Sequence, residues 1–429
     1  MNIIRFPDKK DWPELIKRPL KDSESLDEIV DDILRDVRNN GDEAVRKYEK
    51  KFDKVNLLDL EVNEDEFDEA EQLVDDKLKK AIIHAHENVY KFHEAQIFKP
   101  VIVKTDDGVE CWQKTLPIQK VGLYIPGGTA PLFSTVIMLA TPAKIAGCEE
   151  IILCSPPQNN GKINPAVLFA AKLAGVRRVF KIGGVQAIAA MAFGTESVPK
   201  VYKIFGPGNQ FVMAAKQAVA KHDVAIDMPA GPSEVAIIAD ANANPEFVAA
   251  DLLSQAEHGP DSQVFLISDN DNVINAIIEH TNKQLQQLPR RNLAQIALNN
   301  SKAVLVNNLD EAINIINEYA PEHLILAVQK PHVLAEKVIN AGSVFLGMLS
   351  CESAGDYASG TNHTLPTNGY AKMYSGVSLD SFTKKITFQY LTEKGIANIA
   401  ETVEIMAHNE QLFAHENAMT VRRKSLEIS

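Results

Sequence analysis

The feature that most constrains the fold is an alternation of short apolar runs with longer amphipathic segments from Val121 onwards. Helical segments of ten or more residues separate most of the runs. Alternation of this kind predicts parallel sheets with helices on both faces. The candidate strands are Val121–Ile125, Glu150–Cys154, Arg178–Ile182, Val201–Phe205, Val235–Ala239, Gln263–Ile267, Ala303–Val306, Leu324–Ala327 and Ser343–Leu346.

These strands are too many for one small sheet, so the sequence predicts two α/β domains, with boundaries near residues 118–124 and near Ser233. The first hundred residues have helical periodicity, including a long predicted helix over 65–92, and residues 1–20 are expected to form an arm. From about Ser381 the pattern is helical again.

Charge and cysteine usage exclude several classes of protein. The 429 residues carry a formal charge of −13, which disfavours binding to nucleic acid, and no polybasic run indicates a membrane surface. No apolar run is long enough to span a bilayer, and the N-terminus lacks a signal core. The four cysteines show neither a metal-binding nor a disulfide pattern. We therefore expect a cytoplasmic protein with reduced thiols.

Three glycine-rich turns follow predicted strands, namely Pro126-Gly-Gly128, Gly183-Gly184 and Gly206-Pro-Gly-Asn209. Ligands of open α/β sheets bind beyond the carboxyl ends of the strands, and a helix start with free N–H groups suits phosphate. Tight turns formed for structural reasons also use glycine, however, and the G-x-G-x-x-G fingerprint of many dinucleotide sites is absent. These turns alone do not decide a function.

Four histidines stand near other polar groups in suggestive patterns. Gln255 and His258 are three apart on a predicted helix, so both side chains can reach one point. Asp356 lies in a polar glycine-rich segment with His363, and His415 follows Glu410 near the C-terminus. Gln255, His258, Asp356 and His415 together form a candidate set of nitrogen and oxygen ligands that suits zinc, manganese or cobalt. A helix C-terminus alone also accounts for His258.

A further candidate pair is Glu322-His323, which precedes a predicted strand and offers two general bases. Adjacent strand residues point in opposite directions, so both side chains reach one ligand only where the backbone is irregular. Pro321 allows such an irregularity.

Long motifs then link the chain to a known family. The motifs are Ile226-Asp-x-x-Ala-Gly-Pro-Ser-Glu-Val235 with Asp251-Leu-Leu-Ser-x-x-Glu-His258, Gly122–Gly128, Phe205–Asn209, Pro321–Leu324 and Ser353–His363. Through them the chain resembles the histidinol dehydrogenase family over nearly its whole length. The resemblance implies two incomplete Rossmann-like domains with parallel sheets and small helical terminal extensions. The expected divisions are a 1–23 arm, a first domain of 24–123 and 235–377, a second of 124–234, and a 378–429 segment that reaches a partner subunit.

The resemblance also implies a reaction and a set of site residues. The family oxidises L-histidinol through L-histidinaldehyde to L-histidine, using two NAD and one zinc per subunit, and it is a homodimer with shared active sites. Carried over by motif, Glu322 and His323 are the acid–base pair, and Tyr124, Gln186 and Asn209 contact NAD. The zinc ligands are Gln255, His258, Asp356 and His415. The substrate contacts are these four residues, the acid–base pair, and Ser233, His363 and Glu410.

Two other functions compete with this one. A zinc-dependent hydrolase with a similar ligand set would act without nicotinamide, and a non-catalytic α/β binding protein would lack part of the acid–base pair or the ligand set. The sequence retains Glu322, His323 and every candidate ligand.

Overall fold

The structure is a computed structural model that describes residues 1–18, 24–127 and 131–427. Its contacts define two compact units. The main unit comprises residues 1–95 and 119–382, and the small unit comprises residues 96–118 and 383–429. The domain boundaries expected from the sequence remain a prediction.

The main unit contains two parallel sheets. The larger sheet has the strand order β1-β11-β10-β9-β12-β13. Its strands are β1 (Asn2–Arg5), β9 (Glu234–Ala239), β10 (Gln263–Ser268), β11 (Lys302–Leu305), β12 (His323–Ala327) and β13 (Ser343–Leu346). The smaller sheet has the order β6-β5-β4-β7-β8. Its strands are β4 (Lys120–Tyr124), β5 (Glu150–Ser155), β6 (Arg178–Lys181), β7 (Lys203–Phe205) and β8 (Ala225–Ile226).

Helices surround both sheets. The helices of the main unit are α1 (Trp12–Leu15), α2 (Glu24–Tyr48), α3 (Glu64–Leu73), α4 (Asp76–Glu94), α5 (Phe133–Ala146), α6 (Pro165–Leu173), α7 (Gly184–Phe193), α8 (Gln210–Val219), α9 (Pro245–Ala256), α10 (Asp271–Leu285), α11 (Arg291–Asn299), α12 (Leu309–Tyr319), α13 (Pro331–Ala335) and α14 (Glu352–Tyr357). A π-helical turn, Glu49–Asp53, continues α2.

All nine strands predicted from the apolar runs are present, and both sheets that they form are parallel. The strands β9 and β10 are buried along their whole length because helices cover both faces of the sheet. The expected α/β class is therefore confirmed.

The N-terminal region differs from its expected form in two places. Asn2–Arg5 forms β1, which pairs in parallel with β11 at the edge of the larger sheet, and Trp12 is buried in the same core. The single helix predicted over 65–92 is two helices. The chain is extended at Val74, and the Asp75 side chain caps α4 by accepting the N–H groups of Lys77 and Leu78.

The small unit corrects the expectation that the chain from about Ser381 is wholly helical. It contains an antiparallel sheet of order β14-β3-β2, formed by β2 (Ile102–Asp106), β3 (Val109–Pro117) and β14 (Thr383–Leu391), followed by α15 (Glu393–Asn409) and α16 (Phe413–Glu427). Every residue of β14 pairs with one of β3, which supplies the ladder that a lone strand lacks. The stretch Ile386-Thr-Phe-Gln-Tyr390 alternates apolar and polar residues in the two-residue period of a strand.

Among the described residues, no helix has the length and apolar character that crossing a membrane requires. All four cysteines are free, as expected, and two of them, Cys148 and Cys154, are buried.

Candidate active site

Glu322 and His323 lie at the amino end of the larger sheet, where β12 begins beside β9. Ala320 has a left-handed backbone with φ of 52°, and the regular strand begins only at His323. Glu322 therefore lies in the irregular segment before the strand. Both side chains are buried, and Glu322 Oε2 lies 3.7 Å from His323 Nδ1. The irregular backbone needed to bring two adjacent side chains together is therefore present.

Glu234, the first residue of β9, holds this pair in place with its backbone. Its N–H donates to Glu322 Oε2 at 2.9 Å, and its carbonyl oxygen lies 3.4 Å from His323 Nδ1. The buried Glu234 carboxylate accepts from Arg18 Nε at 2.8 Å and from the backbone N–H of Asn368. Glu234 is not among the residues predicted from the sequence, because a role played by backbone atoms leaves no pattern in side-chain spacing.

Three acidic or imidazole side chains converge near this pair. Ligand atoms of His258, Glu352 and Asp356 all lie within 4.8 Å of one another. Glu352 and Asp356 are four apart on α14, which packs on α9. Glu352 is not among the residues predicted from the sequence, although its four-residue spacing from Asp356 is a signal for a shared helical face.

The position of His258 corrects one expectation. The helix α9 ends at Ala256, so His258 lies in the following turn, where its N–H donates to Gln255 O at 3.2 Å. Gly259 and Pro260 follow at once, and this pair does not continue a helix. Gln255 and His258 therefore do not share a helical face, although α9 delivers both to one region.

Gln255 is fully buried, yet neither its amide oxygen nor its amide nitrogen has a hydrogen-bond partner among the described residues. Leaving a buried polar group unpaired costs about 1–3 kcal/mol. Glu352 Oε2, His323 Nε2 and His363 Nε2 are buried and unpaired in the same way. Such a concentration of unsatisfied ligand atoms fits a site that binds a metal ion and a polar substrate.

The neighbouring segment holds His363 beside Asp356. Asn362 is buried and donates to Met138 O at 2.6 Å, with His93 Nε2 3.3 Å away. Burial lowers the pKa of His363, and the negative charge of Asp356 opposes that shift. The anchored Asn362 thus fixes the segment that contributes His363.

His323 lies among three carboxylates. Its ring nitrogens are 3.7 Å from Glu322, 3.7 Å from Glu352 and 3.6 Å from Asp356. Burial alone would lower the pKa of His323, but the charges of Glu352, Glu322 and Asp356 raise it to about 10. Burial raises the pKa of Glu322 to about 7 and that of Glu352 to about 8.

Asp356 differs from the other two carboxylates. Burial works against its ionisation, but the contact with His323 and the charges of His323, His363 and His258 outweigh burial and lower its pKa. An ionised Asp356 beside His258 and the unpaired Gln255 amide forms a nitrogen and oxygen donor set without thiolates. This set suits zinc, manganese or cobalt.

The remaining predicted ligand and substrate contact belong to the small unit. Glu410 follows the end of α15, and His415 lies in the first turn of α16, with its N–H donating to Leu412 O at 2.9 Å. Both side chains are exposed. Their roles as fourth ligand and substrate contact stay predictions. Ser233, another predicted substrate contact, is partly buried directly before β9.

The three predicted NAD contacts lie at the carboxyl end of the smaller sheet. Tyr124 ends β4, and its buried hydroxyl accepts the N–H of Gly184 at 3.1 Å. Gln186 lies in the first turn of α7, and Asn209 caps α8 by accepting the N–H groups of Phe211 and Val212. Gln186 Oε1 is buried and has no hydrogen-bond partner among the residues that the structure describes. Two helix N-termini and a free acceptor fit a dinucleotide, whose phosphates favour such termini.

The chain is similar over its length to several known proteins. The family model for histidinol dehydrogenase matches residues 16–423. Histidinol dehydrogenase of Bacteroides thetaiotaomicron is 62% identical over 426 residues, covering 99% of this chain and 100% of the relative. The Escherichia coli K12 enzyme is 51% identical over 416 residues, or 96% and 95% of the two chains. The crystal structure of histidinol dehydrogenase from Elizabethkingia anophelis has a TM-score of 0.98 and 54% identity, covering 100% of this chain and 99% of that one.

Proposed function

The chain belongs to the histidinol dehydrogenase family of oxidoreductases, which serves histidine biosynthesis, and we propose that it oxidises L-histidinol through L-histidinaldehyde to L-histidine with two NAD. The observation that best supports this proposal is the convergence of His258, Glu352 and Asp356 beside the buried Glu322–His323 pair. The four free thiols fit the reducing cytoplasm as the place of the reaction.

We propose one zinc ion per subunit, held by Gln255, His258, Asp356 and His415. The unpaired amide of Gln255 supports the assignment, since a metal ion would satisfy its oxygen. When bound, zinc would hold the substrate through the nitrogen atoms of the substrate and would polarise the substrate. Ser233, His363 and Glu410 are proposed to contact the same substrate, and the unpaired His363 Nε2 is available for that contact.

His323 is proposed to take the hydroxyl proton of histidinol as the first hydride leaves for NAD. Its Nε2 has no hydrogen-bond partner within the described residues, while Nδ1 faces Glu322 and the Glu234 carbonyl. A neutral His323 is needed for this step, and a cation held by Asp356 would oppose the carboxylate charges that raise the pKa of His323.

Glu322 is proposed to orient and deprotonate the water that adds to the aldehyde, after which a second hydride leaves for NAD. The Glu234 N–H holds one Glu322 oxygen at 2.9 Å and leaves the other for water. Each oxidation transfers two electrons, so one histidine should accompany two NADH. Keeping the aldehyde bound between the two steps prevents its escape.

The test is to incubate the protein with zinc, L-histidinol and NAD, and to count NADH and histidine. Two NADH per histidine supports the proposal, and a clearly different ratio, or no NADH, contradicts it. Product formed from ester or amide substrates without nicotinamide would instead indicate the zinc-dependent hydrolase.

We also propose a homodimer in which Glu410 and His415 complete the site of the partner subunit. Both residues are exposed and lie in the small unit. His415→Ala should lower zinc content measured by elemental analysis, and full zinc retention would refute the ligand.

Mixed dimers sharpen this test. Neither His258→Ala nor His415→Ala homodimers should be active, but a dimer of one of each should carry one intact site and one with both substitutions. Half of the wild-type activity is therefore expected after co-expression and separation by two tags. No recovery would place both ligands of a site on one subunit.

A further inference from the structure

The nitrogen and the oxygen of the Gln186 side-chain amide differ in their hydrogen bonding. The side chain is fully buried in the first turn of α7, and its Nε2 donates to Glu49 Oε1 at 2.8 Å. Its Oε1 has no hydrogen-bond partner within the described part of the chain. That oxygen faces the preceding turn, because a Cβ on Gly184 would lie 3.0 Å from it, and Gly184 has φ of +56°. The amide thus offers one free acceptor at the glycine turn.

Glu49 sets this orientation. It is fully buried in the π-helical turn after α2, and its Oε1 accepts both the Gly183 N–H at 3.0 Å and Gln186 Nε2 at 2.8 Å. Because Oε1 accepts the Gly183 N–H, it acts as an acceptor whether the carboxyl is ionised or carries its proton on Oε2, so Gln186 presents its NH₂ group to it. A single atom of Glu49 therefore connects the glycine turn to the Gln186 amide.

We infer that Glu49 is a positioning residue for the dinucleotide site, which turns Gln186 Oε1 toward an N–H or O–H donor of the bound nicotinamide cofactor. This inference rests on the proposed use of NAD and on Gln186 as a contact. Glu49 contacts the glycine turn and the Gln186 amide, and its proposed role is to orient that amide. It comes from the N-terminal helical region, far in sequence from the glycine turn that it supports.

The surroundings of Glu49 show why a carboxyl group rather than an apolar side chain serves here. An apolar residue would leave the Gly183 N–H and Gln186 Nε2 unpaired inside the protein, which is costly. The titratable groups around Glu49 are Asp53, Tyr124 and Cys154. Burial, and then the Asp53 charge, raise the pKa of Glu49 to about 8. A neutral carboxyl carries one acceptor oxygen and one hydroxyl, and glutamine reproduces that acceptor.

The experiment compares Glu49→Leu with Glu49→Gln in the full-length, zinc-loaded protein. Glu49→Leu removes the acceptor and should raise KM for NAD about tenfold or more, the effect of losing one buried hydrogen-bonded contact. KM for histidinol and zinc content should not change. Glu49→Gln keeps the acceptor and should retain the wild-type KM for NAD.

Asp42→Ala is a matched control for loss of packing. Asp42 is also buried on α2, and it accepts from Ser197 Oγ at 2.5 Å beyond the end of α7, without contacting Gln186. Its loss should lower Tm but leave KM for NAD unchanged. Gln186→Leu supplies a double-variant test, because Glu49→Leu should add nothing to it if Glu49 acts through Gln186.

Several outcomes would overturn the inference while wild-type activity stands. These are a wild-type KM for NAD in Glu49→Leu, an equal defect in Glu49→Gln, an equal rise in Asp42→Ala, or additive effects with Gln186→Leu. A wild-type protein that forms no NADH from histidinol contradicts the proposed function itself and the inference with it.

Discussion

The two parallel sheets of the main unit carry their polar groups at opposite ends of their strands. In the larger sheet, Glu234 and His323 are the first residues of β9 and β12, and α9 ends close to them. In the smaller sheet, the glycine turns follow β6 and β7, where α7 and α8 begin. The amino end thus combines strand N–H groups with a helix C-terminus, whereas the carboxyl end combines glycine turns with helix N-termini.

This difference matches the charge of what each end is proposed to bind. A helix C-terminus carries partial negative charge and favours a cation, while an N-terminus favours an anion such as a phosphate. Ligands of open sheets are usually expected at the carboxyl ends. In the larger sheet the candidate acid–base pair and the candidate metal ligands lie at the other end, where the Glu234 N–H holds the Glu322 carboxyl group.

The largest effect is expected from metal removal, which should affect the function of the amino end of the larger sheet and not that of the carboxyl end of the smaller sheet. Dialysis against a chelator should abolish histidinol oxidation, and added zinc should restore it. NAD affinity, measured by calorimetry on the same samples, should be unchanged because the residues proposed to contact NAD lie at the carboxyl end of the smaller sheet. Parallel loss of NAD binding would show that the two ends are not independent.

His323→Ala tests the amino end of the larger sheet alone. It should lower kcat about 10²- to 10⁴-fold, the usual contribution of a general acid–base residue. KM for NAD should not change. His332→Ala, an exposed histidine of α13, is the matched control and should retain full kcat. A normal kcat in His323→Ala would remove His323 from the chemistry.

An ion pair with a buried carboxylate supports each end, and the two pairs should have different kinetic effects. Arg18 pairs with Glu234 at 2.7 Å, and Lys216 pairs with Asp227 while donating to Gly206 O at 2.8 Å. Arg18→Met and Lys216→Met should each destabilise the fold by about 3–5 kcal/mol, because each leaves a buried carboxylate without its counter-ion.

Arg18→Met should lower kcat, and Lys216→Met should raise KM for NAD. Thermal unfolding and steady-state kinetics on both variants measure this. Arg5→Met is the control, since the Arg5–Asp271 pair is about half exposed and should contribute at most about 1 kcal/mol. The same kinetic defect in both buried variants would contradict the separation of the two ends.

The smallest expected effect is on the pH dependence of Tm, through Glu49 beside the glycine turn of the smaller sheet. Because the pKa of Glu49 is raised to about 8, the folded state favours the protonated carboxyl. Its stabilising effect is present at low pH and is lost as pH rises toward that value, by at most about 1.4 kcal/mol per pH unit. Between pH 6.5 and 7.5, Tm of the wild type should fall more than Tm of Glu49→Gln. Equal slopes would mean that Glu49 is ionised throughout.

The strands were predictable because helices cover both sheet faces, so each strand is an uninterrupted apolar run. The antiparallel sheet of the small unit was missed, because the alternation in β14 is weaker than the helical pattern that follows it. Long local motifs pointed to Glu322, His323, His258 and Asp356, which lie close together in the structure, and their roles stay predictions. Glu352 had a usable helical spacing, but Glu234 acts through its backbone and Glu49 through contacts across 134 and 137 residues of sequence. Neither role leaves a local pattern.

The pairing of β1 with β11 also bears on how the chain folds during synthesis. Asn2 pairs with Lys302, whereas the smaller sheet uses only residues between Lys120 and Ile226. At about 5–20 residues per second, β1 emerges roughly 15–60 s before its partner strand does. The smaller sheet can therefore form on the ribosome while β1 still lacks its partner. Proteolysis of stalled nascent chains should find the smaller sheet protected before β1.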